Sequence, residues 1–311
     1  MWIELLTDFV RFWDGTVLIY FAALNVMYGL LFLMSMTETW RHWSISHHFQ
    51  LAERMPDEAF PPISLIVPAY NEHNNILDSV RAQLNVDYPR HQLIVVNDGS
   101  NDGTLEKLRQ EWELYEVPHA VSQKIETSDV RGYYRSRRDS RLYLVDKEQG
   151  GKADALNAGL NTASYPLVAT VDADTYLNRN SLKRVVRPFL TDDDTVASAG
   201  TIRVANECGF PDAPMDRGRV PRAFLPGVQV VEYLRAFLFG RLGWNTMGGN
   251  LITSGAFSVF RKAPIIELGG FSRNTVTEDL ELTVELHERL RKEDEDYQIS
   301  FVPDPVAWTA V

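Results

Sequence analysis

The 311-residue sequence contains one cysteine, Cys208. A lone cysteine excludes a disulfide framework and a thiolate zinc site, and fits a domain kept in a reducing compartment. Positive charge is also scarce: 31 Lys and Arg stand against 42 Asp and Glu, a formal net charge of -11. Polyanion binding needs a basic excess, so nucleic acid is not expected as a partner. Equally absent are a G-x-G-x-x-G loop, a G-x-x-x-x-G-K-[ST] loop, an H-E-x-x-H and a G-x-S-x-G. Dinucleotide dehydrogenases, P-loop kinases, zincins and α/β-hydrolases thereby lose their usual signatures. What is present, 45% hydrophobic and 23% charged residues, is the composition of a globular protein with an ordinary core.

Charge disappears altogether over residues 15–36, 22 positions reading GTVLIYFAALNVMYGLLFLMSM. A helix of that length, at about 1.5 Å per residue, spans a hydrocarbon core of about 30 Å. The flank before it carries Glu4, Asp8, Arg11 and Asp14 and is not basic, which argues for a transmembrane helix over a secretory signal. In residues 1–14, Glu4, Thr7, Asp8 and Arg11 recur at helical spacing opposite Trp2, Phe9, Phe12 and Trp13. This pattern predicts an amphipathic helix lying in the membrane interface. Residues 37–59 read as a linker. Arg41 and Arg54 after the span, against Arg11 before it, form a small positive-inside bias. It places the remainder on the cytoplasmic side of the cell (inner) membrane, in contact with membrane lipid.

From residue 60 onward, apolar runs at 63–70, 92–99, 141–146 and 166–174 alternate with predicted helices at 73–86, 103–114 and 151–163. Continuous Val, Ile and Leu runs of this kind are strands buried on both faces of a parallel sheet. The alternation implies right-handed crossovers and a doubly wound α/β sheet whose ligands sit beyond the carboxyl ends of the strands. A helix at 228–242, an apolar run at 251–260, an acidic helix at 278–293 and a strand at 299–302 are predicted further on. Charge runs at 106–116 and 285–296 read as solvated helix faces. Arg131, Arg135, Arg137, Arg138 and Arg141 form a sharper basic cluster. It is an exposed loop or a site for anionic lipid or phosphate.

Polar residues close these strands. Tyr70, Asn71 and Glu72 follow the first, Asp98 the second, and Asp172 and Asp174 the fourth. Carboxylates gathered at one sheet edge repel each other unless a cation or a donor-rich ligand is shared, and Mg²⁺ or Mn²⁺ with a diphosphate meets that demand. Gly150-Gly151-Lys152 opens a helix, offering backbone N–H groups and an ammonium to phosphate. A plain glycine turn would read the same. Thr277-Glu278-Asp279 begins another helix, where N-capping alone accounts for the residue types.

Taken in order, PAYNE (68–72), NDGS (97–100), GGKADALNAG (150–159), DAD (172–174), SGAF (254–257), TED (277–279) and FVPDPVAW (301–308) resemble the family-2 inverting glycosyltransferases. The likeness is greatest to the membrane synthases of cellulose, chitin, hyaluronan and poly-β-1,6-N-acetylglucosamine. It covers residues 60–311 and implies a GT-A fold, Rossmann-like with a mostly parallel sheet flanked by helices. It also implies a nucleotide-sugar donor, usually a uridine diphosphate (UDP) sugar, with Mg²⁺ or Mn²⁺ as cofactor. By this resemblance Tyr70, Glu72, Asp98, Lys152 and Asp172 hold the nucleotide sugar and Asp174 ligates the metal. Asp279, beside Glu278, is the general base. Ser254 and Gly255, with Trp244 or Trp308, lie on the side of a glycan or lipid-linked acceptor.

The processive members carry a Q-x-x-R-W motif and further membrane helices after the strand matched here by 299–302, and neither occurs before Val311. The C-terminal membrane part is therefore expected to lie outside these residues, the chain being a fragment, one half of a split system with a membrane partner subunit, or a shortened enzyme. Two other expectations remain open. One is a transferase acting on a polyprenyl phosphate. The other is a nucleotide-sugar-binding subunit inactive without its C-terminal half.

Overall fold

The predicted apolar runs form the middle of one large sheet in the computed structural model, which describes residues 2–48, 56–118, 123–204, 224–245, 248–250, 253–275 and 277–309. In chain order the elements are α1 (Trp2–His48), β1 (Ile63–Ala69), α2 (Ile76–Leu84), β2 (His91–Asp98), α3 (Thr104–Trp112), β3 (Leu114–Glu116), β4 (Val130–Ser136) and β5 (Leu142–Lys147). They continue with α4 (Lys152–Thr162), β6 (Leu167–Val171), β7 (Tyr176–Leu177), α5 (Ser181–Thr191), β8 (Thr195–Val204), α6 (Phe224–Tyr233) and a π-helical segment (Leu234–Arg241). Last come α7 (Leu242–Asn245), β9 (Phe257–Arg261), α8 (Lys262–Glu267), α9 (Glu278–Lys292) and β10 (Gln298–Thr309). Cys208, Arg54, Leu251 and Ile252 lie outside the described residues.

The ten strands lie in the order β3-β4-β5-β2-β1-β6-β9-β8-β10-β7. The stretch β5-β2-β1-β6 is parallel, with Ile66 opposite both Ile94 and Thr170. Antiparallel pairings flank it, through β4 on one side and β9 on the other, so the whole sheet is mixed. Side-chain alternation sends Leu65, Val67, Leu93 and Val95 to one face, against α2, α3 and α5. Ile66, Ile94 and Val96 go to the other, against α4 and α9. Helices on both faces are the doubly wound arrangement expected. The contact between α4 and β1 is so close that a Cβ on Gly159 would overlap Ile66 Cγ2.

Helix α1 runs without a break through residues 14 and 36, so the predicted interfacial piece, the span and residues 37–48 of the predicted linker form one helix. Its segment Trp2–Trp40 is long and apolar enough to cross a membrane, with an 18-residue stretch of mean hydropathy 2.1. Polar side chains within it turn back onto the helix: Thr7 Oγ1 donates to Ile3 O at 2.8 Å, Thr16 Oγ1 to Phe12 O at 2.9 Å and Asn25 Nδ2 to Phe21 O at 2.7 Å. Leu31 and Ser35 are buried, and Leu31 lies against Gly243 of α7. The apolar helix is thus packed onto the sheet domain.

The helix predicted at 228–242 is divided into α6, the π-helical segment and α7. Strands β4 and β8 and helix α5 fall where no element was predicted. The sequence of β8, TVASAGTIRV, lacks a bulky apolar run, yet nearly all of it is buried, and Gly200 is covered by Val306. Arg131 and Arg135 of the arginine cluster sit on β4, while Arg137, Arg138 and Arg141 lie in the loop that joins it to β5, and much of the cluster is paired. Arg138 Nε meets Glu113 Oε1 at 2.9 Å and Arg141 Nη2 meets Asp139 Oδ2 at 2.7 Å, while Arg137 lies 5.0 Å over Tyr115 and Arg135 5.3 Å over Tyr143. Trp308, one of two aromatic candidates for the acceptor side, is 1% exposed on β10 and belongs to the core.

Candidate active site

Strands β1, β2 and β6 end at the same edge of the sheet and deliver their terminal residues to one cleft of about 360 Å³, within the size range of small-ligand sites. Tyr70, Glu72, Asp98, Lys152, Asp172 and Asp174 all line it, together with Gln149 and Gly151. Short polar links hold the loops after β1 and β2 together. Asn71 N donates to Ser100 Oγ at 3.0 Å, Asn101 N to Asn71 Oδ1 at 2.9 Å and His73 N to Asp102 Oδ2 at 3.0 Å.

Asp98 is almost entirely engaged by the protein. Its Oδ1 accepts from Lys147 Nζ at 2.6 Å and Gly150 N at 2.9 Å, and its Oδ2 accepts from Gly151 N at 2.8 Å. A carboxylate offers about four acceptor directions, so about one is left for a ligand. Its main work is to clamp the Gly150-Gly151 turn, in which Gly151 takes a φ of +89° that suits glycine. Behind the clamp, Lys147 is fully buried and also meets Asp154 Oδ2 at 2.6 Å. Asp154, likewise buried, accepts from Ser128 N at 3.1 Å and from Arg273 Nη1 at 3.3 Å. The turn opening α4 is therefore set by a buried chain of alternating charge.

Lys152, the first residue of α4, reaches across the cleft. Its Nζ stands 2.6 Å from Asp172 Oδ1, 3.2 Å from Glu278 Oε1 and 3.3 Å from Gly255 O. One ammonium thus ties the DAD turn, the SGAF loop and the start of α9. Burial alone would lower its pKa, but Asp172 and Glu278 together outweigh burial and raise it, so it stays charged. Burial likewise raises the Asp172 carboxyl; Lys152 opposes that rise, and Asp174 and Glu278 add to it. The backbone joins the same pieces, with Asp172 N donating to Ala256 O at 3.1 Å.

Thr277 occupies the N-cap position of α9, but its hydroxyl makes no capping bond. Glu278 and Asp279 stand in the first turn of α9, where acidic residues are favoured, and Glu278 is in addition held by Lys152. Asp279 faces Gly255, where a Cβ would stand 3.3 Å from Asp279 Oδ2. Ser254 is buried, its N and O both bonded to Ser258 Oγ at 2.8 and 2.6 Å, whereas Trp244 is 42% exposed.

Glu72 has its pKa raised by burial and by the charges of Asp174, Asp102 and Asp172, a repulsion that a bound cation would relieve. Asp174 is exposed at the cleft edge. Among the described residues no group of three or more His, Cys, Asp or Glu could enclose a metal. Asp174 and Glu72, close enough for the charge of one to raise the pKa of the other, fit a hard cation held by one or two carboxylates, with phosphate oxygens and water as its other ligands.

Sequence reasoning did not single out Lys147, Asp154, Gln149 or Arg273. Lys147 ends a buried strand, a position where lysine is ordinarily solvated, and only the fold brings two carboxylates to it.

The sequence model of the family described as "Glycosyltransferase like family 2" matches residues 61–310. Poly-beta-1,6-N-acetyl-D-glucosamine synthase of Staphylococcus aureus (strain MSSA476) is 27% identical over 252 residues, 80% of this chain and 50% of that protein. The synthase of the same description from Staphylococcus epidermidis is 25% identical over 250 residues, again 80% and 50%. The chain thus spans about half the length of these relatives. Among solved structures, the mannosyltransferase PcManGT from Pyrobaculum calidifontis, in complex with GDP-Man and Mn²⁺, superposes with a TM-score of 0.54 at 22% identity. The superposition covers 90% of this chain and 69% of that one, and it shows the shared GT-A fold.

Proposed function

Since the chain belongs to glycosyltransferase family 2, we propose that it is a membrane-anchored inverting transferase moving one sugar from a UDP-sugar to a hydroxyl of a growing polysaccharide. The observation that carries this reading is the Lys152 bridge. It fixes the DAD turn and the TED helix start on opposite sides of one ammonium, 2.6 Å from Asp172 and 3.2 Å from Glu278. The nucleoside lies along Tyr70 and Glu72 with the Asp98-clamped turn beneath it, and Lys152 and Asp172 border the diphosphate.

Asp279 accepts the proton of the acceptor hydroxyl as that oxygen attacks the anomeric carbon and the bond to the diphosphate breaks on the opposite face. A single displacement inverts the centre, so an α-linked donor gives a β-linkage. Lys152 stabilises charge on the departing diphosphate. Mg²⁺ or Mn²⁺, with Asp174 as its protein ligand, would supply further electrostatic stabilisation of that leaving group. Glu278 positions Lys152. The named activity of the Staphylococcus relatives favours N-acetylglucosamine as the sugar and a β-1,6-linked polymer as the product. Helix α1 anchors the domain in the inner membrane with the cleft cytoplasmic, beside a lipid surface and within reach of a membrane partner subunit.

The test is UDP release by the membrane-reconstituted chain with Mg²⁺ or Mn²⁺ across a panel of UDP-sugars. Turnover with one sugar is expected. Asp279→Asn should abolish it while UDP binding persists, and Asp174→Ala should weaken both. Binding without turnover for every sugar would overturn the self-sufficient enzyme, and a labelled product that partitions into organic solvent would replace the polysaccharide acceptor with a polyprenyl phosphate.

A further inference from the structure

Helix α4 holds more of the site than Lys152 alone. The segment between α8 and α9 is tethered along it in reverse chain order. Asn157 Oδ1 accepts from Phe271 N at 2.7 Å and its Nδ2 donates to Phe271 O at 2.9 Å, so one buried amide satisfies both backbone groups of that residue. Nearer the helix start, Arg273 Nη1 donates to Asp154 Oδ1 at 3.3 Å. At the start itself, Lys152 Nζ meets Glu278 Oε1 at 3.2 Å. The segment leading into Asp279 is thus laid against the helix whose opening, Gly150-Gly151-Lys152, borders the donor cleft.

Of these tethers, Arg273 is the one that packing does not explain. Its side chain is 42% exposed, and its contact with Glu126, 3.7 Å away and 88% exposed, is a surface ion pair of little weight. The guanidinium nevertheless reaches inward to Asp154, whose side chain is wholly buried. The reason lies in the charges behind it. Asp98 and Asp154 share the single ammonium of Lys147, which leaves one buried negative charge in excess, and a buried carboxylate attracts a second cation. The result is a continuous chain: Asp98 clamps the Gly150-Gly151 turn, Lys147 joins Asp98 to Asp154, and Arg273 joins Asp154 to the loop ahead of α9.

We propose that Arg273 is a positioning residue for the general base: by tying the loop ahead of α9 to Asp154, it fixes Asp279 in register with the donor turn at the head of α4. This rests on the transferase reading above. Arg273 touches neither substrate and acts only through where it holds Asp279. Connecting loops are more mobile than the elements they join, and a misplacement of about 1 Å at a reacting group costs about a hundredfold in rate.

The experiment compares wild type, Arg273→Gln, Arg273→Lys and Glu126→Gln as the full chain in membranes, with the UDP-sugar selected by the panel, and reads kcat for UDP release, UDP affinity and Tm. In Arg273→Gln kcat should fall about tenfold to a hundredfold. The UDP Kd should stay within about twofold and Tm within about 4 °C, because Asp154 keeps Lys147 and Ser128 N and the turn keeps Asp98. Arg273→Lys keeps the charge without the planar fork and should recover part of kcat. Glu126→Gln removes only the exposed partner and should match wild type within about twofold. An unchanged kcat in Arg273→Gln, a UDP Kd rising in step with the loss of kcat, or a larger fall in Tm, which marks a purely structural role, overturns the proposal. So does a Lys variant no better than the Gln one, or an equal loss in Glu126→Gln. No UDP release by the wild type overturns the transferase reading itself, and this proposal with it.

Discussion

Replacing Lys147 by Met keeps an unbranched apolar chain and deletes one buried ammonium. That ammonium is wholly enclosed, 2.6 Å from Asp98 Oδ1, 2.6 Å from Asp154 Oδ2 and 2.6 Å from Glu148 O. No solvent screens these pairs, so the near-zero value typical of surface ion pairs does not apply. Breaking a buried pair by removing one partner costs about 3–5 kcal/mol. Two carboxylates lose the same cation here, but Asp98 keeps the Gly150 and Gly151 amides, and Asp154 keeps Ser128 N and Arg273. The loss should therefore stay within that range instead of doubling it. At about 2–4 °C per kcal/mol for a domain of this size, Tm falls by about 6–20 °C. Circular dichroism melts in detergent measure it. UDP affinity should fall too, because the clamp on the Gly150-Gly151 turn loosens. Adding Asp154→Asn to Lys147→Met should recover part of the loss, since it removes a buried charge that has lost its nearest cation. A Tm within about 2 °C of wild type would refute the reasoning.

Two further predictions concern packing and protonation. His91 Nδ1 lies 3.0 Å from Tyr88 O and Nε2 lies 3.0 Å from Arg141 Nη1, an arrangement that only a neutral ring satisfies, and burial lowers its pKa below 6.5. The unfolded chain gains a proton as pH falls below 6.5 and the folded ring does not. Stability is thus complete above that pH and declines below it, by at most about 1.4 kcal/mol per pH unit. His91→Phe should flatten the slope of Tm against pH between about 6.5 and 5, and equal slopes would contradict the neutral-ring assignment. Gly159→Ala should lower the urea midpoint, because the new methyl overlaps Ile66 Cγ2. A Cβ 2.2 Å from Ile66 Cγ2 puts the overpacking cost in the upper part of the usual range, about 2–3 kcal/mol, and the helix gains about 1 kcal/mol over glycine, so a net loss of about 1–2 kcal/mol is expected. Ile66→Val should restore part of it, and an unchanged midpoint would disprove the close contact.

Much of the central architecture was legible along the chain. The runs at 63–70, 92–99 and 166–174 became β1, β2 and β6 because strands buried on both faces must be apolar throughout, and a parallel sheet leaves only their carboxyl ends for polar groups. That is why Tyr70, Glu72, Asp98, Asp172 and Asp174 could be named in advance and now line one cleft. Strand β8, made largely of small residues, carried no such pattern, and β4 exposes arginines on a sheet flank. Trp308 and Trp244 were indistinguishable as letters, yet β10 buries the first and leaves the second in the open. The sequence by itself determined which residue types stand at each strand end and that an apolar helix precedes them, because those follow from local periodicity. Which charge meets which did not. The pairing of Lys152 with Asp172 and Glu278 and that of Lys147 with Asp98 join residues far apart in the chain. Coulomb and desolvation energies depend on distance and burial in space, and only the tertiary structure sets both.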